Sequence, residues 1–275
     1  MALSTLLLGL RTPIEENLFV GKARWEMLTA KVAQQEDAPH ADYYDEQVWT
    51  FLLACGYAVG GPEGVSALED LLTGGAGAWR TGHKIWFEVL PTPPRFQEGN
   101  TNVDLAVGDI RLRSGVEGGI ELDPESTPNW VCLTEAKWYS DIDTKVSNQR
   151  ERNQLARVAE NAACLQSEGA IVDRPFVTLL TPRRFRSSEL RSRLYVYKYH
   201  EYRDDPARLA FEWRAMDNAM PPRSNSGWRY PKNPDERARS IRFHWVTYDD
   251  LLSEDNLPDT PIRDALVRAF EDWTP

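Results

Sequence analysis

Two short stretches carry residue types that can do chemistry together. Trp130-Val131-Cys132-Leu133-Thr134-Glu135-Ala136-Lys137-Trp138-Tyr139 is an apolar run that ends in an acid, a small residue and a lysine. Asn102-Val103-Asp104-Leu105-Ala106-Val107 sets a single acid between apolar neighbours. Both read as core strands. Strand side chains alternate faces, so Val131, Leu133, Glu135 and Lys137 share one face. Charges on such a face are costly to bury without partners or a metal. If the two strands are neighbours, Asp104 and Glu135 converge on one divalent cation. Two carboxylates completed by water suit Mg²⁺ or Mn²⁺, which favour oxygen ligands. Such an ion polarises a phosphoryl oxygen and generates hydroxide. Lys137 would orient the attacking water and offset developing negative charge. The competing reading is a structural ion pair between strands.

The elements that must position these residues follow from periodicity and punctuation. Apolar spacing predicts a helix with some breaks over residues 14–35, then a turn at Asp37–Asp42. A stronger helix is predicted from Tyr43 to Cys55, closed by Gly56, and a short amphipathic piece from Gly64 to Leu72. Gly74-Gly75-Ala76-Gly77 reads as a loop, without the pattern that cradles phosphates. Strands are predicted over His83–Leu90, Asn102–Val107 and Trp130–Tyr139. Ile110–Ser114 and Gly119–Leu122 form an inserted hairpin. Glu88, on the first strand, can face the site if Phe87 and Val89 face the core. A helix is expected from Ser147 to Gln166, then a strand at Phe176–Leu180. Residues 183–203 read as a basic helix, 204–240 as irregular, and Ile241–Val246 as a last strand before acidic helical segments.

The order from Tyr43 to Leu180 is helix, three strands, helix, strand. With Asp104 on one core strand and Glu135-Ala136-Lys137 on the next, it resembles the PD-(D/E)xK nuclease superfamily over residues 43–182. Val103 stands where that pattern has proline. The resemblance implies an α/β fold, a restriction-endonuclease-like αβββαβ core with a mixed central sheet flanked by helices. Residues 1–42 and 183–275 would be an N-terminal helical and a C-terminal extension of one domain. It implies Mg²⁺- or Mn²⁺-dependent cleavage of phosphodiester bonds, usually in DNA. Asp104, Glu135 and the Ala136 carbonyl would hold the metal, and Lys137 would assist the water. An acid on the first core helix often reaches the metal through water, here Glu46. A polar residue on the helix after the lysine strand often touches the site or DNA, here Gln154, with Arg157 one turn on. A fold that has lost activity and only binds nucleic acid or a protein partner is the alternative. A carboxylate-pair glycosidase is a weaker one, because the lysine favours phosphoryl chemistry.

Charge is unevenly spread. The chain has 275 residues, 41% of them hydrophobic, and a net charge of −10, yet residues 145–203 hold twelve Lys/Arg against six Asp/Glu. Within them Arg183, Arg184, Arg186, Arg191, Arg193, Lys198 and Arg203 alternate with Phe185, Tyr195, Tyr197, Tyr199 and Tyr202. Arginines can contact phosphates and aromatic rings can stack on bases, so Arg183, Arg184 and Arg186 are candidate DNA contacts. The other reading is tyrosines packed on the domain and arginines in solvent. No base-reading motif is present, so sequence specificity is not inferred. Cys55, Cys132 and Cys164 lack CxxC spacing and read as buried thiols of a cytoplasmic protein. The apolar start lacks a basic leader and an evident cleavage site, which argues against a signal peptide. No run approaches the ~18 residues of a membrane span. Self-association is left open.

Overall fold

The structure, a computed structural model, describes residues 1–37, 43, 45–99, 101–142, 152–186, 193–225 and 227–274. The chain opens with helices α1 (Leu3–Gly9) and α2 (Arg11–Asn17), a two-residue strand β1 (Leu18–Phe19), and helices α3 (Lys22–Asp37), α4 (Glu46–Ala58) and α5 (Gly61–Thr73). Strands β2 (Ile85–Pro91), β3 (Val103–Gly108), β4 (Ile110–Leu112), β5 (Gly119–Leu122) and β6 (Trp130–Ala136) follow. Then come α6 (Gln154–Cys164), the small pair β7 (Gln166–Ser167) and β8 (Ala170–Ile171), and β9 (Arg174–Thr181). A 3₁₀ turn at Arg183–Arg186 leads toward α7 (Leu194–Asp204) and α8 (Pro206–Ala215). The chain continues with β10 (Ser224–Asn225), β11 (Trp228–Arg229), α9 (Pro234–Ser240), β12 (Arg242–Thr247), α10 (Tyr248–Leu251) and α11 (Arg263–Trp273).

One mixed sheet runs β12-β9-β6-β3-β2-β5-β4, with β1 added beside β2. β2, β3 and β6 are successive antiparallel neighbours, while β9 is parallel to β6 and β12 parallel to β9. This is an α/β protein whose sheet is covered by helices on both faces. Trp130, Cys132 and Ala136 join the apolar cluster with α4 and α5. Val131 and Leu133 join the cluster with α6. A strand covered on both faces has no polar side, which is why all seven residues of β6 are buried. Cys55, Cys132 and Cys164 are buried free thiols. Among the described residues, no helix is long and apolar enough to cross a membrane.

Several sequence expectations need correcting. The helix with breaks expected over 14–35 is interrupted at Leu18–Phe19 by a strand, which pairs in parallel with Ile85 and Trp86. The helix expected from Ser147 starts at Gln154, because Asn153 caps it by accepting from the Ala156 N–H at 2.9 Å. Residues 147–151 lie outside the described residues. The basic helix expected over 183–203 is a 3₁₀ turn and α7, with 187–192 outside the described residues. The stretch 204–240, expected to be irregular, contains α8 and α9. Each starts with an Asx cap followed by proline: Asp205 caps Ala207 before Pro206 packs at the first turn, and Asn233 caps Glu236 with Pro234 likewise. The strand expected to reach Tyr139 ends at Ala136, although the Lys137 N–H still reaches the Leu180 carbonyl at 2.8 Å.

One buried charge cluster ties the last third of the chain to the loop before β3. Arg95 is fully buried. It donates to Glu160 on α6 at 2.7–3.0 Å and to Asp217 at 2.9 Å. It also donates to the carbonyls of Met220 at 2.9 Å and Trp213 at 2.6 Å. Glu160 also pairs with Arg152, and Arg152 and Arg157 both pair with Glu98. An arginine this deep is tolerated only with its donors filled.

A candidate acid and lysine site

Register places the two central acids. β3 and β6 pair Leu105 with Thr134 and Ala106 with Leu133. One step further along the same antiparallel register, Asp104 stands opposite Glu135. Directly opposed residues point to the same face, about 5 Å apart at Cβ. The Asp104 carboxylate accepts from the Ala136 N–H at 2.7 Å. In extended backbone, the carbonyl of Ala136 leaves from the same strand edge as its N–H.

Lys137 is buried and closes the set. Its Nζ lies 2.8 Å from Glu135 Oε1 and 3.5 Å from Glu46 Oε1. Glu46 begins α4, just after the cap Asp45, whose side chain accepts from Val48. Its other oxygen accepts from the Trp138 N–H at 2.7 Å and from Ser140 Oγ at 3.3 Å. Glu46 thus holds the turn that follows the lysine.

These residues line one polar pocket of about 260 Å³. It brings together Asp104, Glu135, Lys137, Glu46, Glu88, Gln154 and Arg157. Gln154 is the first residue of α6. Arg157 is buried and held by Glu98 at 3.2 Å and by the Gly99 carbonyl at 2.6 Å. Arg183, Arg184 and Arg186 are not among its lining residues. The Arg183 guanidinium sits 2.8 Å from Asp250, and Arg186 lies 3.9 Å from the same carboxylate. Arg184 stacks over Tyr139 at 4.5 Å and Phe185 at 4.9 Å. These arginines therefore flank the end of the sheet, mostly engaged with the protein itself.

Glu88 reaches the pocket by an unusual route. Its φ is +48°, left-handed for a residue with a side chain inside a strand. Such a conformation costs ~1–3 kcal/mol and persists only where the surroundings enforce it. Here Gln47 Nε2 donates to Glu88 Oε1 at 2.7 Å, and Arg24 sits 2.5 Å from Oε2. Gln47, Asn102 and Thr101 also line the pocket, and none was singled out from sequence. Asn102 was the legible one, two residues before Asp104 in an extended segment.

The electrostatics show a surplus of negative charge. Burial, then Glu135 and Glu46, push the Asp104 carboxyl well above its ordinary value, against the opposing pull of Lys137 and the Ala136 N–H. Burial also raises the Glu88 carboxyl, despite Arg24 and Gln47. Burial alone would lower Lys137, but Glu135, Asp104 and Glu46 outweigh it and hold the ammonium far above its usual range. Lys137 is therefore a fixed positive charge and a donor, not a base.

Does this set suit a divalent cation? Among the described residues, no group of three or more His, Cys, Asp or Glu side chains is arranged to hold a metal ion. What is on offer is a facing pair of carboxylates, a backbone carbonyl and an anionic pocket with one central lysine. That matches Mg²⁺, which keeps several waters and is held by one or two carboxylates plus substrate oxygens. The donors fit. Comparison with protein families, with curated proteins and with solved structures gives no match.

Proposed function

We propose that the protein is a metal-dependent nuclease of the PD-(D/E)xK kind, hydrolysing phosphodiester bonds in DNA. The observation that carries this reading is the facing pair Asp104 and Glu135 with Lys137 bound to Glu135 at 2.8 Å. The element order supports it too. α4, then β2, β3 and β6 as successive antiparallel strands, then α6 and the parallel β9, follow the αβββαβ plan. The strands β1 and β12 extend that sheet from outside residues 43–182.

Each residue then has a task. Asp104, Glu135 and the Ala136 carbonyl would hold Mg²⁺ or Mn²⁺, and the bound ion supplies Lewis acidity to the phosphoryl group and an acidified water. Lys137, permanently charged, donates to the attacking water or to the non-bridging oxygen on which charge develops. Glu46 keeps Lys137 and the Trp138 turn in place. Gln154 and Arg157, from α6, line the same pocket and would lie beside the strand being cut.

A second reading is a nuclease-like fold that binds a partner without cutting. The contact favouring it is the closed Glu135–Lys137 pair, which is satisfied without any ligand. One experiment separates them. The purified protein with Mg²⁺ or Mn²⁺ is incubated with plasmid and single-stranded DNA, alongside Asp104→Asn and Glu135→Gln. Cutting by the wild type and none by folded variants is expected. Undiminished cutting by the variants overturns the site. Salt-sensitive binding with no cutting at any metal concentration selects the second reading.

A further inference from the structure

The groove does not stop at the acids. Glu88 and Asn102 line the first pocket and also a second depression of about 240 Å³. Its walls include Phe19, Phe87 and Leu90, with Arg24 and Glu117 at the edge. Phe19 is only partly covered, and its ring lies 5.5 Å from Trp86. Gly21 leaves one wall bare, since a Cβ there would meet no atom within 4 Å. Phe19, Gly21 and Arg24 come from the β1–α3 segment, outside the residues that carry the nuclease resemblance. Without that segment the depression would lack one side.

The two compartments differ in chemistry. The first is polar and takes charge. The second offers aromatic and aliphatic surface, the amide of Asn102 and the carboxylate of Glu117. Glu88 and Glu117 repel a phosphate there. A flat uncharged ring with amino groups at its edge suits it: the faces stack on Phe19, and Asn102 and Glu117 accept from the edge. The volume suits one ring system, being smaller than the ~300–1,000 Å³ of drug-sized sites. The left-handed Glu88 stands between the two, its carboxylate tied back by Arg24 and Gln47.

We infer that this second depression holds the base of an unpaired nucleotide next to the phosphate being cut, so that the substrate is single-stranded or locally opened. The inference rests on the first pocket being a phosphodiester site. A base paired in a duplex stays in its stack and does not enter such a recess.

The test uses the full chain, Mg²⁺, and a fluorescent single-stranded phosphorothioate oligonucleotide beside its blunt duplex, read by anisotropy. Phe19→Ala removes the stacking face, Gly21→Trp fills the recess without deleting a contact, and Phe19→Tyr keeps the ring. The first two should weaken single-strand binding roughly tenfold, as loss of one stacked base does, and leave duplex binding unchanged. Phe19→Tyr should bind like the wild type. A wild type that binds the duplex as well as the single strand, or binds neither, overturns the inference. So does unchanged single-strand binding by Phe19→Ala and Gly21→Trp. If Asp104→Asn abolishes cutting while those two variants behave as wild type, this inference falls and the metal site stands. If they lose single-strand binding but Asp104→Asn still cuts, the metal site falls, and with it the placement of that base beside the phosphate being cut.

Discussion

Lys137→Met separates a structural from a chemical role for the lysine. Methionine keeps most of the buried stem and removes only the charge. Lys137 and Glu135 are each about 5% exposed or less, and their contact is 2.8 Å. Removing one partner of a buried pair costs ~3–5 kcal/mol, because the other charge stays behind. Glu46, the third member, is 27% exposed and can turn to water, so the lower end, about 3 kcal/mol, is expected. The sign with pH follows from Asp104, whose carboxyl already sits above its ordinary value. Without the ammonium, which now opposes that rise, the Asp104 carboxyl moves further up. A carboxyl raised in the fold binds a proton that the unfolded chain releases, so stability falls as pH climbs above ~4. The deficit of Lys137→Met should therefore be near 3 kcal/mol at pH 8 and at least ~1 kcal/mol smaller at pH 5, measured by urea unfolding against the wild type at both values. Cutting of single-stranded DNA at saturating Mg²⁺ should fall about 10²–10³-fold, the usual loss for one charge-stabilising donor. A deficit that is absent or independent of pH would show that Lys137 is not the counterion of these acids. Normal cutting by a folded variant would remove it from the chemistry.

Two further outcomes test the fold away from the pocket. His83 lies between Glu69 at 2.7 Å and Asp109 at 3.1 Å; burial lowers it, but the two carboxylates outweigh burial and bring it to about 9. Its contribution is complete below pH ~6.5 and is lost as pH rises through about 9. The unfolding free energy should thus drop by ~2–3 kcal/mol from pH 6 to 9.5, and His83→Gln should flatten that slope. Gly64, on α5, faces the α4 backbone so closely that a Cβ would lie 2.0 Å from the Tyr57 carbonyl oxygen. Gly64→Ala should lower stability by about 3 kcal/mol or more, because backbone must move; a melting temperature within a degree or two of wild type would contradict the packing.

What the sequence made legible was the local part. Two apolar runs were enough to predict β3 and β6, and strand geometry put Glu135 and Lys137 on one face; that Asp104 stands opposite Glu135 came only with the β3–β6 register. Glu46 was legible as a first-turn acid on a strongly apolar helix. Glu88 was not legible in the same way, since its left-handed backbone breaks the alternation by which a strand residue is assigned to a face. Arg24 was missed because it comes from β1–α3, a segment read as a helix with some breaks and not as a strand beside the sheet. Its strand has only two residues and is held by β2 rather than by its own pattern. The arginines after β9 looked free in sequence, but Asp250, which pairs with Arg183 and Arg186, lies more than sixty residues on. Such pairings leave no local trace. α8 and α9 did leave one, the Asx-Pro starts at Asp205 and Asn233, which was outweighed by the Pro and Asn content of the surrounding stretch.

The buried Arg95 cluster has a consequence in time rather than in space. A chain still being made, with residues only as far as Pro182 outside the ribosome, already carries every side chain that lines the acidic pocket. Arg95 would then have Glu160 but not Trp213, Asp217 or Met220, whose atoms fill the rest of its donors. A guanidinium left half-satisfied in an apolar interior is strongly unfavourable, so the loop leading into Asp104 stays unset until that later stretch arrives. The proposed nuclease centre would thus be assembled only once residues 213–220 have emerged to complete the Arg95 cluster.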